Sequence, residues 1–160
     1  MRASTDEHVA LAGQLVALAE SRLLDPLEIL TEDPEVVRAL RERIRADAEM
    51  WAAQLLGEDD ALARHTGARM ISAFYPGDAP FEMPAPWWRT PLGRAVALRM
   101  GHPSADIVPY AVAAAMLGIT RQGVHDLVRR GKLARDDAGV TTASVRARLR
   151  ARTDDHGNRR

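Results

Sequence analysis

Five prolines, Pro76, Pro80, Pro84, Pro86 and Pro91, fall within sixteen positions near the middle of the chain. Each fixes φ, lacks an amide donor and biases the residue before it away from the helix. No helix or central strand runs through such a stretch, so whatever folds must fold on either side of it. The expectation is a helical domain over 1–75, an extended proline-rich connector over 76–89 and a second domain over 90–152. Phe81, Met83, Trp87 and Trp88 leave the connector two readings. The prolines present a ligand for a partner's aromatic groove, or the apolar residues pin the segment onto helices. Two adjacent exposed tryptophans would make an apolar patch, which favours pinning.

The 160 residues are 46% hydrophobic but only 4% aromatic, and Ala and Leu outnumber Val and Ile, so the expected fold is mainly α. The absence of cysteine excludes disulfides, thiolate metal sites and thiol nucleophiles, and fits a reducing compartment. A formal charge of zero hides an asymmetry. Residues 1–80 hold 8 arginines against 15 acids, net −7, whereas residues 81–160 hold 13 arginines and Lys132 against 7 acids, net +7. Two solvated faces of one fold would give that pattern, as would a division of labour in which the basic half meets a polyanion. Val9 to Ala19 has the length of an export signal's apolar run. However, Asp6, Glu7 and His8 precede it where basic residues belong, and Gly13 and Gln14 interrupt it. No stretch reaches the roughly 18 apolar residues that span a bilayer. A cytoplasmic location without a membrane partner follows as the expectation.

Val9, Ala12, Val16, Ala19 and Leu23 repeat at helical spacing up to Asp25-Pro26, where a first helix should stop. Asp33-Pro34-Glu35 is a start signal, with a capping carboxylate, a proline suited to the first turn and an acid complementing the dipole. From it Val37, Leu40, Ile44, Ala48, Trp51 and Leu55 step by three and four until Gly57, which makes Trp51 a core residue. A third helix, about 59–74, carries His65 near Glu58, Asp59 and Asp60. Their spacing matches no metal-ligand pattern, and acids belong at a helix start anyway. Thr90 caps a short helix from Pro91 to Met100.

The most informative segment runs from Pro109 to Leu133. An alanine-rich helix ends at Leu117-Gly118, where glycine supplies a backbone angle costly for other residues, and Thr120 caps a second helix closed by Gly131. Val124, Leu127 and Val128 face inward, which leaves Arg121, Gln122, His125 and Arg129 outside. Gly123 either lets this helix approach a ligand closely or is a mildly unfavourable helix residue with no purpose.

The string Ala-Ala-x-x-Leu-Gly-Ile-Thr-Arg-Gln-x-Val-x-x-Leu-Val-Arg-Arg-Gly-Lys-Leu resembles the helix-turn-helix of MerR-like and excisionase-like DNA-binding proteins, over about residues 107–152. That resemblance implies a short β-hairpin wing over Lys132 to Thr141, turning at Asp137-Ala138-Gly139, then a helix from Thr142 to Arg152. The expected fold is therefore an N-terminal helical domain plus a C-terminal helix-turn-helix with a short β-hairpin wing, and a disordered tail over 153–160.

The residue chemistry points the same way. A helix that enters the major groove needs long polar side chains near its N-terminus, and Arg and Gln make bidentate contacts to guanine and adenine edges. Arg121, Gln122 and His125 are the base-reading candidates. Thr120, Arg129, Arg130, Lys132 and Arg135, with Arg146, Arg148, Arg150 and Arg152 on the last helix, are the backbone candidates. Compositional bias toward arginine, with 21 Arg against one Lys, would also make that helix basic. No HExxH, GxxxxGK[ST] or GxGxxG occurs, and the five histidines are scattered, so neither catalysis, metal nor cofactor is expected. The expectation is a sequence-specific regulator of transcription that binds double-stranded DNA as a homodimer through residues 5–74. The alternatives are an antitoxin-like or adaptor protein whose N-terminal helices bind a partner protein, or an excisionase-like factor that bends DNA.

Overall fold

In the computed structural model, which describes residues 4–157, the chain divides into two compact units between Pro76 and Gly77. The first unit is entirely helical: α1 (Thr5–Ala19), a π-helical segment (Glu20–Leu24), α2 (Asp25–Thr31), α3 (Pro34–Leu56) and α4 (Asp60–Phe74). Side-chain caps start α1, α3 and α4. Ser4 and Glu7 form a reciprocal capping box on α1, Asp33 accepts from Glu35 N and Val36 N, and Asp59 accepts from Leu62 N. The core is a stripe of Leu11, Ala12, Leu15, Ala19 and Leu24 set against Val37, Ala48, Ala52 and Leu55, with Ala63, Met70, Ile71 and Phe74 beyond. Val9 and Leu23, expected inside, are exposed, and Trp51 is only half-buried.

Pro26 does not stop the first helix. Asp25 N donates to Glu20 O across the wider π turn, and the proline then sits in the first turn of α2, where its missing donor breaks no bond. Helical structure therefore continues to Thr31. Arg41 of α3 ties it down by donating to Glu20 and Glu28. Arg22 donates to Phe74 O at 3.0 Å and lies over the Tyr75 ring, closing the end of α4.

The second unit contains a 3₁₀ turn (Ala85–Arg89), α5 (Pro91–Met100), β1 (Ile107–Val108), α6 (Tyr110–Leu117), α7 (Arg121–Arg129), β2 (Arg135–Asp136), β3 (Gly139–Thr141) and α8 (Thr142–Gly157). The chain as a whole is thus mainly α with one small sheet. That sheet is antiparallel with order β1-β3-β2, pairing Val108 with Val140 and Arg135 with Val140 on its two sides. The hairpin turns at Asp137-Ala138. β1 had no counterpart in the sequence reading, because two residues are too short to show alternation.

The segment expected as a connector over 76–89 differs in part. Residues 85–89 form a helical turn within the second unit, because Trp87 and Trp88 are buried there. Phe81 meets Trp87 edge-on at 5.3 Å, Trp87 meets Trp88 at 4.9 Å, and His102 lies 5.0 Å from Trp88. The pinned arrangement is the one found. Gly93 of α5 lets this turn come close, since a Cβ there would stand 2.2 Å from Trp87 O. The expected tail also differs: α8 continues through Gly157, with no helix breaker before it and Thr153 Oγ1 donating to Leu149 O. Residues 158–160 of that tail lie outside the described residues.

His102 links the tryptophans to the turn before β1. Its Nδ1 accepts from Ser104 N at 3.2 Å and Ala105 N at 3.0 Å, which requires the neutral ring. Burial pushes its pKa below the ordinary value of 6.5, against a smaller opposing pull from Glu82. The unfolded chain therefore takes up this proton first on acidification, so stability is lost as pH falls below 6.5 and levels off beneath the folded value. Urea unfolding midpoints should accordingly be flat above about pH 7 and fall as the pH drops below 6.5. His102→Asn, which keeps an acceptor near Nδ1, should flatten that fall; an unchanged slope would assign the titration to another group.

Candidate nucleic-acid interface

Two glycine caps set the direction of α7. At the end of α6, Gly118 adopts φ 65°, with Ile119 N donating to Ala114 O and Gly118 N to Ala115 O. At the end of α7, Gly131 adopts φ 67°, with Lys132 N donating to Leu127 O and Gly131 N to Val128 O. Both pairs have the Schellman pattern, which satisfies carbonyls that a helix end leaves unbonded. Between them Thr120 Oγ1 accepts from Gly123 N at 3.1 Å and starts α7. The hydroxyl expected at the DNA backbone is thus also the helix cap.

Val124 is fully buried on the inner face of α7, and Arg121, Gln122, His125 and Arg129 are exposed on the outer one. Gly123, in the first turn of α7, faces the preceding turn: a Cβ there would lie in ordinary contact, 3.4 Å from both Ile119 Cδ1 and Thr120 Oγ1.

The outer face of α7, the start of α6 and the hairpin border an open cleft of about 430 Å³. Gln122, His125, Arg129 and Arg135 line it, so four of the candidate residues come together. Arg121 lies beside it on the first turn of α7, while Arg130 and Lys132 are exposed at the far end. Two residues that sequence reasoning did not single out also line the cleft. Tyr110, the first residue of α6, stacks on His125 with ring centroids 4.4 Å apart and planes 21° apart, which fixes the imidazole by its face. Asp126 accepts from Arg129 Nη2 at 3.2 Å and stands 3.5 Å from Gln122 Nε2. Asp126 was legible as the single acid in the second helix, three residues before Arg129 and four after Gln122. The Tyr110 contact had no signal, because fifteen residues and a tight turn separate it from His125.

The arginines of α8 form a different group. Arg146, Arg148 and Arg150 are half-buried where α8 packs on α5 and α6, and the Nε atoms of Arg146 and Arg148 are buried. Arg152 Nη1 donates to Leu117 O at 2.8 Å. That carbonyl ends α6, so a cation there also complements the helix dipole. Arg152, expected at the DNA backbone, also caps the end of the first helix of the pair.

Among the described residues no three His, Asp or Glu side chains gather as a metal site, and no helix is long and apolar enough to cross a membrane. Compared with protein-family models, curated proteins and solved structures, the chain matches none of them. A charge-assisted bond of this kind contributes about 1.5–3 kcal/mol, so Arg152→Ala should lower stability by about that amount in urea unfolding. Arg130→Ala, on the exposed end, should leave stability within about 0.5 kcal/mol; equal losses would deny Arg152 its capping role.

Proposed function

We propose that the chain is a cytoplasmic, sequence-specific binder of double-stranded DNA that regulates transcription, acting by binding and not by catalysis. The observation that carries this reading is the outer face of α7. A helix rigidly capped at both ends offers Arg121, Gln122 and His125 to solvent from its first turns, with Arg129 and the hairpin's Arg135 alongside. Side chains at that place reach base edges when a helix enters the major groove, and a flanking hairpin reaches phosphates. The Tyr110–His125 stack supports the same role, because a ring held by its face keeps its edge nitrogens directed at a ligand. Arg130, Lys132 and Arg135 supply the electrostatic part.

The first unit supplies association. Among the described residues, every exposed large hydrophobic side chain lies in it: Val9, Leu23, Ile29, Leu30, Val36, Leu40, Met50 and Leu62. One helix-turn-helix reads only a few base pairs, so pairing two of them over half-sites about one DNA turn apart gives useful specificity. A homodimer through residues 5–74 meets that need. The same exposed residues favour a second reading, an adaptor or antitoxin-like protein whose first unit binds another protein.

Gel-shift titrations on duplex DNA test the main reading. Arg121→Ala and Gln122→Ala should each cost about 1–3 kcal/mol on a selected site and much less on random DNA. Lys132→Ala and Arg135→Ala should weaken both DNAs alike, each reducing the slope of log K against log salt by about 0.9. Equal losses on both DNAs for the α7 variants would deny base reading by that helix. Light scattering at DNA-binding concentrations should return the mass of two chains; a monomer would favour the partner-protein reading.

A further inference from the structure

Asp126 is the only acid on α7, and it lies among the residues proposed above to read DNA, on which reading this inference rests. An anion facing a phosphate-lined groove is repelled, so its presence there demands a compensating contact. Part of the compensation is internal. Oδ1 accepts from Arg129 Nη2 at 3.2 Å and lies 3.5 Å from Gln122 Nε2, so a cation stands beside the carboxylate before any ligand arrives. Oδ2 has no hydrogen-bond partner among the described residues, and the side chain is 38% exposed beside the cleft that Tyr110, His125 and Arg135 also line.

An ionised carboxylate can only accept hydrogen bonds. In the major groove guanine offers N7 and O6 and thymine O4, all acceptors, which would face Oδ2 as like partial charges. Adenine offers its amino group beside the N7 acceptor, a pair suited to an amide that both donates and accepts. Cytosine offers an amino donor with no acceptor of its own beside it. We propose that Asp126 is a specificity-determining residue that receives the N4 amino group of a cytosine on Oδ2, while Oδ1 holds Gln122 and Arg129 in position. Gln122, one helical turn earlier, then addresses a neighbouring base pair through its amide, and Arg129 offsets the negative charge against the phosphates. The target is therefore duplex DNA in which a C·G pair stands at a fixed place relative to the bases read by Arg121 and Gln122.

Selection from a random duplex library with the full chain tests this, comparing wild type, Asp126→Asn, Asp126→Ala and Arg129→Ala, each first shown folded by circular dichroism. The wild type should select a motif with cytosine at one position, preferred in competition by roughly 5- to 150-fold over the other bases. Asp126→Asn should move that position alone to adenine, Asp126→Ala should make it degenerate, and Arg129→Ala should leave the cytosine in place while weakening all DNA. If both Asp126 variants keep the cytosine and merely bind every DNA more tightly, the carboxylate only restrains Arg129 and the proposal is overturned. A wild type that binds duplex DNA but selects no motif overturns this proposal and base reading together; one that does not bind duplex DNA at all overturns the proposed function itself.

Discussion

Five consecutive residues of α6, Ala113 to Leu117, are buried, and most of the second unit is arranged by that fact. A helix hidden on nearly every side can be enclosed only if its side chains are small, and three of these five are alanine. The 3₁₀ turn, α5, α7, α8 and β3 all pack against α6. Close packing has no slack for rotation, so each neighbour inherits its orientation from α6. Arg152 adds a polar lock from α8 onto the last carbonyl of α6, and the Gly118 cap joins the same end to α7.

Presentation of the α7 face depends on this arrangement. A recognition surface works when its side chains are held before the ligand arrives, since ordering them afterwards costs binding energy. Here the backbone is fixed by two Schellman caps and Thr120, the imidazole of His125 stacks on Tyr110, and Asp126 pairs with Arg129 and lies 3.5 Å from Gln122 Nε2. The charges divide accordingly. The exposed Arg121, Arg129, Arg130, Lys132 and Arg135 follow α7 and the hairpin, Arg89 and Arg94 are exposed elsewhere in the second unit, and on α8 Arg146, Arg148 and Arg150 are half-buried while Arg152 caps α6.

Much of this was legible because the signals are local. Asp33-Pro34, Thr90 and Thr120 cap the helices they announce, and Gly57, Gly118 and Gly131 stand where helices stop. The outward set of Arg121, Gln122, His125 and Arg129 followed from the 3.6-residue period once Val124 was placed inside. Misjudgements arose where a local signal was overridden. Pro26 lost its stopping power to a π turn, the prolines of the connector yielded to the burial of Trp87 and Trp88, and the last helix outlasted Arg152.

What the sequence determined by itself was the inventory: a mainly helical chain, where most helices start and stop, and which face of α7 is polar. Those properties depend on residues within one or two turns of each other, and periodicity and capping report them directly. Only the tertiary structure decided which cations stay available, what holds His125, and that Asp126 keeps one oxygen open beside the cleft. Each of those depends on groups brought together by packing, across 35 residues for Arg152 and Leu117. The electrostatic worth of a charged side chain is set by such neighbours and by its burial, neither of which is written in the local pattern.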